Sequence, residues 1–103
     1  MCPYRKEHMY YRMTRLHFEE DALDGLVEWM TTQDRRLKDI DGLLTWDLAR
    51  GGATDGMIIA SYRDRAAYES AKDEVDSILE EMAPHLTDRP HGHDGTVAYS
   101  LDL

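Results

Sequence analysis

The sequence predicts an α+β domain in which a four-stranded antiparallel sheet carries two helices on one face. Three observations predict it. Residues 56–62 form a short apolar run with β-branched members, the pattern of a buried strand. Directly after it, Ala67, Tyr68, Ala71, Val75, Ile78, Leu79 and Met82 recur at three- and four-residue steps, the pattern of an amphipathic helix. Between strand and helix stands Asp64, whose carboxylate suits the orphan amides of a first helical turn.

The other elements follow in order. Residues 1–8 are polar, contain Pro3 and read as an arm before a single domain spanning 9–103. Residues 9–18 interleave aromatic and apolar side chains with polar ones, as a strand does. One face holds Tyr10, Arg12, Thr14, Leu16 and Phe18; the other holds Met9, Tyr11, Met13, Arg15 and His17. Glu19, Glu20 and Asp21 suit the positive end of a helix dipole. Leu23, Leu26, Val27, Met30 and Leu37 then mark one helical face with Trp29 beside it, and the helix is expected to end near Lys38 or Asp39. Ile40-Asp41-Gly42 is a turn, residues 43–49 a second strand, and residues 50–55 a glycine-rich connection into the third. Pro84 stops the second helix. Residues 85–94 read as loop, and residues 95–103 as a final strand with Val97, Tyr99, Leu101 and Leu103 on one face. Strand, helix, strand, strand, helix, strand is a split βαβ unit used twice, the ferredoxin-like topology.

Composition narrows the function classes. A chain of 103 residues holds one ordinary core. Its formal charge of −9 argues against nucleic acid and against an anionic membrane surface. No apolar run approaches the roughly 20 residues that span a bilayer. Cys2 is the only cysteine, which precludes an internal disulfide and suits a reducing, cytoplasmic setting. The glycines of 50–55 lack a phosphate-loop pattern. Two helices cover only one face of the sheet, while the third strand is apolar at nearly every position. The uncovered face is therefore expected to pack against a second copy, giving a homodimer through the sheet.

Ile40-Asp41-Gly42-Leu43, a strand, and then residues 56–62 leading into Arg63-Asp64-Arg65-Ala66-Ala67-Tyr68-Glu69 resemble the antibiotic-biosynthesis-monooxygenase domain of the dimeric α+β-barrel superfamily. The similarity runs over residues 9–103. Asp41 replaces the family's usual turn proline, and Tyr62 its frequent tryptophan. The resemblance implies a barrel-forming dimer and often a pocket between helices and sheet. Some members oxygenate aromatic polyketides without metal or flavin, so no cofactor is expected. Others degrade haem with an asparagine, a tryptophan and a histidine; the matching positions here fall near Thr14, Ala71 and Glu80, which lack them. The implied function is a cofactor-independent oxygenase acting on a small aromatic or quinone-like molecule. The alternative is a non-catalytic, dimeric ligand-binding or sensing domain.

Such an oxygenase needs an apolar cavity with a few convergent polar groups, to deprotonate an electron-rich aromatic and stabilise the anion. Arg12, Tyr62 and His17 are the candidate catalytic residues, with His17 as a base near neutral pH. Thr14, Trp46, Tyr68 and His85 are the candidate substrate-binding residues. Each has a structural alternative: an acidic partner for Arg12, core packing for Tyr62 and Tyr68, sheet packing for Trp46, a surface place for His17, and a helix-end place for His85. His91-Gly92-His93-Asp94 lacks the helical spacing that presents two ligands together, so no metal is assigned and a solvated loop is expected.

Overall fold

The computed structural model describes residues 8–101. Strand β1 (Tyr10–His17) leads to helices α1 (Leu23–Thr31) and α2 (Asp34–Lys38). Strands β2 (Leu43–Arg50) and β3 (Asp55–Tyr62) form a hairpin, followed by helix α3 (Arg65–Glu81), a 3-10 turn at Ala83–His85, and β4 (His91–Thr96). The sheet order is β2-β3-β1-β4 and every pairing is antiparallel. This is the expected α+β, ferredoxin-like arrangement, with β1 and β3 central.

Alternation decides which strand residues meet the helices. Tyr10, Thr14 and Leu16 of β1 are buried, as are Ile58, Ala60 and Tyr62 of β3. Against them α3 lays Ala67, Tyr68, Ala71, Val75, Ile78 and Leu79, the stripe its spacing marks out. Full burial of a side chain such as Val75, Ile78 or Met82 contributes roughly 1.5–3 kcal/mol. Asp64 caps α3: its carboxylate accepts the Ala67 N–H at 2.8 Å.

Two expectations need correction. The first helix is broken. The hydroxyls of Thr31 and Thr32 donate to the carbonyls of Glu28 and Trp29 at 2.7 and 2.5 Å, and the Gln33 N–H bonds Met30 O, three residues back. This local competition ends α1 and restarts the phase at α2, leaving Val27 exposed while Leu26 and Leu37 are buried. Arg36 then pins α2 to α3, donating to Glu74, to Glu81 at 2.7 Å and to Ser77 at 3.1 Å.

The last strand lies earlier than its apolar alternation suggests. Residues 91–96 pair with β1, from Arg15↔His91 to Tyr10↔Thr96, and only the stretch 86–90 is loop within the range expected to be one. β4 is an edge strand held by its backbone ladder, so it needs no apolar face. Tyr99 and Leu101 find no core to face and are exposed. The expected arm, except for His8, and the expected strand end at Asp102 and Leu103 lie outside the described residues.

Candidate functional site

The helix-facing side of the sheet builds the site. In register, Ala60 of β3 lies between Arg12 of β1 and Trp46 of β2. Two strand spacings separate Arg12 from Trp46, about 9–10 Å of backbone, and Ala60 between them is buried in the core. A bulge between Leu43 and Thr45 helps to make this row. It absorbs one residue, so Leu43, opposite Tyr62, and Trp46, opposite Ala60, both turn towards the helices.

Three tyrosines continue the surface. The Tyr68 ring of α3 lies 4.8 Å from Tyr10 and 5.4 Å from Tyr62, the latter edge-on at 81°. Burial pushes the Tyr62 phenol up to about 12 and raises Tyr68 as well. Tyr10 is raised chiefly because its hydroxyl donates to the Asp94 carboxylate on β4.

Arg12 is the charged group of this face. Its Nη2 donates to Asp76 Oδ1 at 2.8 Å, and Lys72 Nζ donates to Asp76 Oδ2 at 2.8 Å. Burial alone would raise the Asp76 carboxyl, but the Lys72 and Arg12 bonds outweigh it and hold it below the usual carboxylate range. Three buried donors have no hydrogen-bond partner among the described residues: Arg12 Nη1, Trp46 Nε1 and the Tyr62 hydroxyl. Beside Arg12 an open cleft of about 610 Å³ runs between α3 and the 86–90 loop, with Asp76, Leu79 and Glu80 on one wall and Leu86, Thr87 and Pro90 on the other. That volume lies within the range of small-molecule sites. The Thr87 N–H, bonded to His17 O at 2.9 Å, ties the loop to the end of β1.

No family model matches the chain, and no curated protein does. Solved structures match over nearly its whole length. A putative antibiotic biosynthesis monooxygenase from Nitrosomonas europaea superposes with a TM-score of 0.73 at 15% identity, covering 93% of this chain and 96% of the other. A Streptomyces coelicolor monooxygenase, in complex with nanaomycin D, gives 0.73 at 16%, covering 95% and 94%. A protein of unknown function from Nitrosomonas europaea gives 0.74 at 12%, covering 96% and 98%. The chain shares the ferredoxin-like fold of these structures.

On this fold the candidate residues divide. Arg12, Thr14, Tyr62, Trp46 and Tyr68 share the helix-facing side. His17 does not join them. As the odd-numbered neighbour of Leu16 it points to the outer face, lining a separate cavity of about 480 Å³ with Met13, Arg15, Met57, His91 and His93. His85 sits in the 3-10 turn, its ring 5.7 Å from Trp29, and is not among the residues lining the Arg12 cleft. His91 and His93 are strand residues rather than loop, so period two places them on one face; among the described residues no three ligating groups are arranged to hold a metal.

Asp76, Lys72 and Asp94 were not among the candidates. Asp76 belongs to an acidic run that reads as a solvated helix face. The signal that distinguishes it is the four-residue step Tyr68, Lys72, Asp76, which places all three along one flank of the apolar stripe. Asp94 carries no such signal, because its place depends on which residues pair with β1.

Proposed function

We propose that this chain is an antibiotic-biosynthesis-monooxygenase-type protein that binds a small aromatic or quinone-like molecule in the Arg12 cleft, between α3 and the 86–90 loop, and oxygenates it without a cofactor. One observation carries the reading: the buried donors Arg12 Nη1, Trp46 Nε1 and Tyr62 Oη lack partners among the described residues. A buried donor left unmatched costs about 1–3 kcal/mol, and Arg12, the one of the three that lines the cleft, is where a ligand would bring an acceptor. Quinone carbonyls and phenolate oxygens are such acceptors. Leu79, Leu86 and Pro90 of the cleft offer apolar walls, and Arg12 a cation beside the anion that forms before oxygen attack. His17, on the other face, has no part in this reading.

Anthrone under oxygen is the direct test. Turnover to the quinone consumes one O₂ and releases one water per molecule, and an oxygen electrode reads it. No uptake with anthrones or hydroquinones would end the catalytic reading. A second reading, ligand binding without turnover, is favoured by Asp76, whose two oxygens are already engaged by Arg12 and Lys72 and so are poorly placed to take a proton. Binding without oxygen uptake would select it.

The outer sheet face supports assembly with a second copy. Met13 is exposed there, and Tyr11, Met57 and Ile59 are half-buried, with no helix over them. A solved structure described as a dimeric ferredoxin-like protein, from an uncultured marine organism, matches with a TM-score of 0.73 at 14% identity, covering 95% of this chain and 94% of that one. Sedimentation at micromolar concentration should give a dimer, and Ile59→Asp a monomer; a monomeric wild type would refute the assembly.

A further inference from the structure

We propose that the Arg12 cleft takes its ligand as a monoanion, an aryl carboxylate whose oxygen docks on Arg12 Nη1. The proposal rests on the ligand site argued above and names the charge state of its occupant. The argument begins with a local imbalance. One carboxylate, Asp76, serves two cations: Oδ1 takes Arg12 at 2.8 Å and Oδ2 takes Lys72 at 2.8 Å. That leaves the cluster with one positive charge in excess. The Arg12 side chain is only 12% exposed, so water does little to compensate it. Its Nη1 is buried and meets no acceptor among the described residues.

The neighbouring acids do not remove the excess. Asp94 lies across the strand from Arg12 but is solvent-exposed and accepts the Tyr10 hydroxyl. Glu80 lines the cleft and is exposed, with no ion pair to Arg12 among the described residues. Asp88 and Arg89 at the mouth carry opposite charges. One unmatched terminal nitrogen and one excess charge fit a carboxylate. A phosphate dianion would exceed that single charge and leave one negative charge unmatched beside Asp76. The hydrocarbon of an aryl group has Leu79, Ala83, Leu86 and Pro90 to lie against.

Calorimetric titration of the full chain with 2-naphthoate, its neutral isostere 2-naphthamide, and 2-naphthyl phosphate tests this. Naphthoate should bind roughly tenfold more tightly than naphthamide, the usual advantage of a charge-assisted over a neutral hydrogen bond. Arg12→Gln should bring the ratio near one while naphthamide binding persists. Asp76→Asn should raise the ratio, because it removes the competing charge; this variant keeps the test decisive should Arg12→Gln fail to fold. Equal binding of acid and amide, or a ratio unmoved by Asp76→Asn, overturns the proposal and leaves the ligand site standing. Tighter binding of the phosphate overturns the choice of a monoanion. No binding of any of the three overturns the ligand site itself.

Discussion

Replacing Gly42 with alanine tests how the turn before β2 holds the fold. Gly42 has φ +82°, a conformation that costs an L-residue roughly 1–2 kcal/mol. A Cβ at this position would stand 2.5 Å from the Cβ of Ala67, in the first turn of α3. Contact that close must be relieved by moving the helix or the turn, at about 1–3 kcal/mol. Loss of glycine's freedom in the unfolded chain returns about 0.4–1 kcal/mol. The net expectation is destabilisation of ~2–4 kcal/mol, a large share of the 5–15 kcal/mol typical of a domain. Neither neighbour yields readily, because Gly42 O accepts the Arg63 N–H at 2.8 Å and Ala67 N is held by Asp64 at 2.8 Å. Urea unfolding measures it, with Gly95→Ala as control, since nothing lies within 4 Å of a Cβ there. A double-mutant cycle with Ala67→Gly separates the clash from the φ penalty and should show a coupling of about 1–3 kcal/mol. A Gly42→Ala loss below ~0.5 kcal/mol, or no coupling to position 67, would refute the reasoning.

Three further outcomes are expected. Asp64→Ala should cost about 1 kcal/mol, read as a lower melting temperature, by freeing the Ala67 N–H at the start of α3. The Tyr62 phenol is pushed up to about 12 from about 10 in the unfolded chain, so the folded state holds this proton more tightly. Its contribution is intact below pH 10 and lost as pH rises through about 12, up to roughly 2–3 kcal/mol; Tyr62→Phe should remove that part of the alkaline loss in unfolding curves taken from pH 9 to 12. Ala60→Leu should overpack the buried row between Arg12 and Trp46, costing about 1–3 kcal/mol in urea unfolding; an unchanged stability would show that this row has room to spare.

The sequence by itself determined whatever depends on periodicity and local chemistry. Period two in residues 10–18 separated Arg12 and Thr14 from His17 before any contact was known. The 3.6-residue stripe of α3 marked its buried face, and Asp64 marked its start. Tertiary structure alone decided the rest, because it turned on which residues met across the chain. Thr31 and Thr32 bonded the carbonyls of Glu28 and Trp29, three residues back, and broke a helix whose apolar spacing looked continuous. The bulge at Leu43–Thr45 turned both Leu43 and Trp46 towards the helices, although residues three apart in a regular strand face opposite ways. β4 formed at His91–Thr96 because β1 offered backbone partners there, whereas the apolar alternation of Val97, Tyr99 and Leu101 had no core to meet. That placement set Gly92 and Asp94 beside Arg12. The charge balance around Arg12 also lay beyond the sequence. It rests on Asp76 reaching across 64 residues of chain, and only packing of α3 onto the sheet makes that contact.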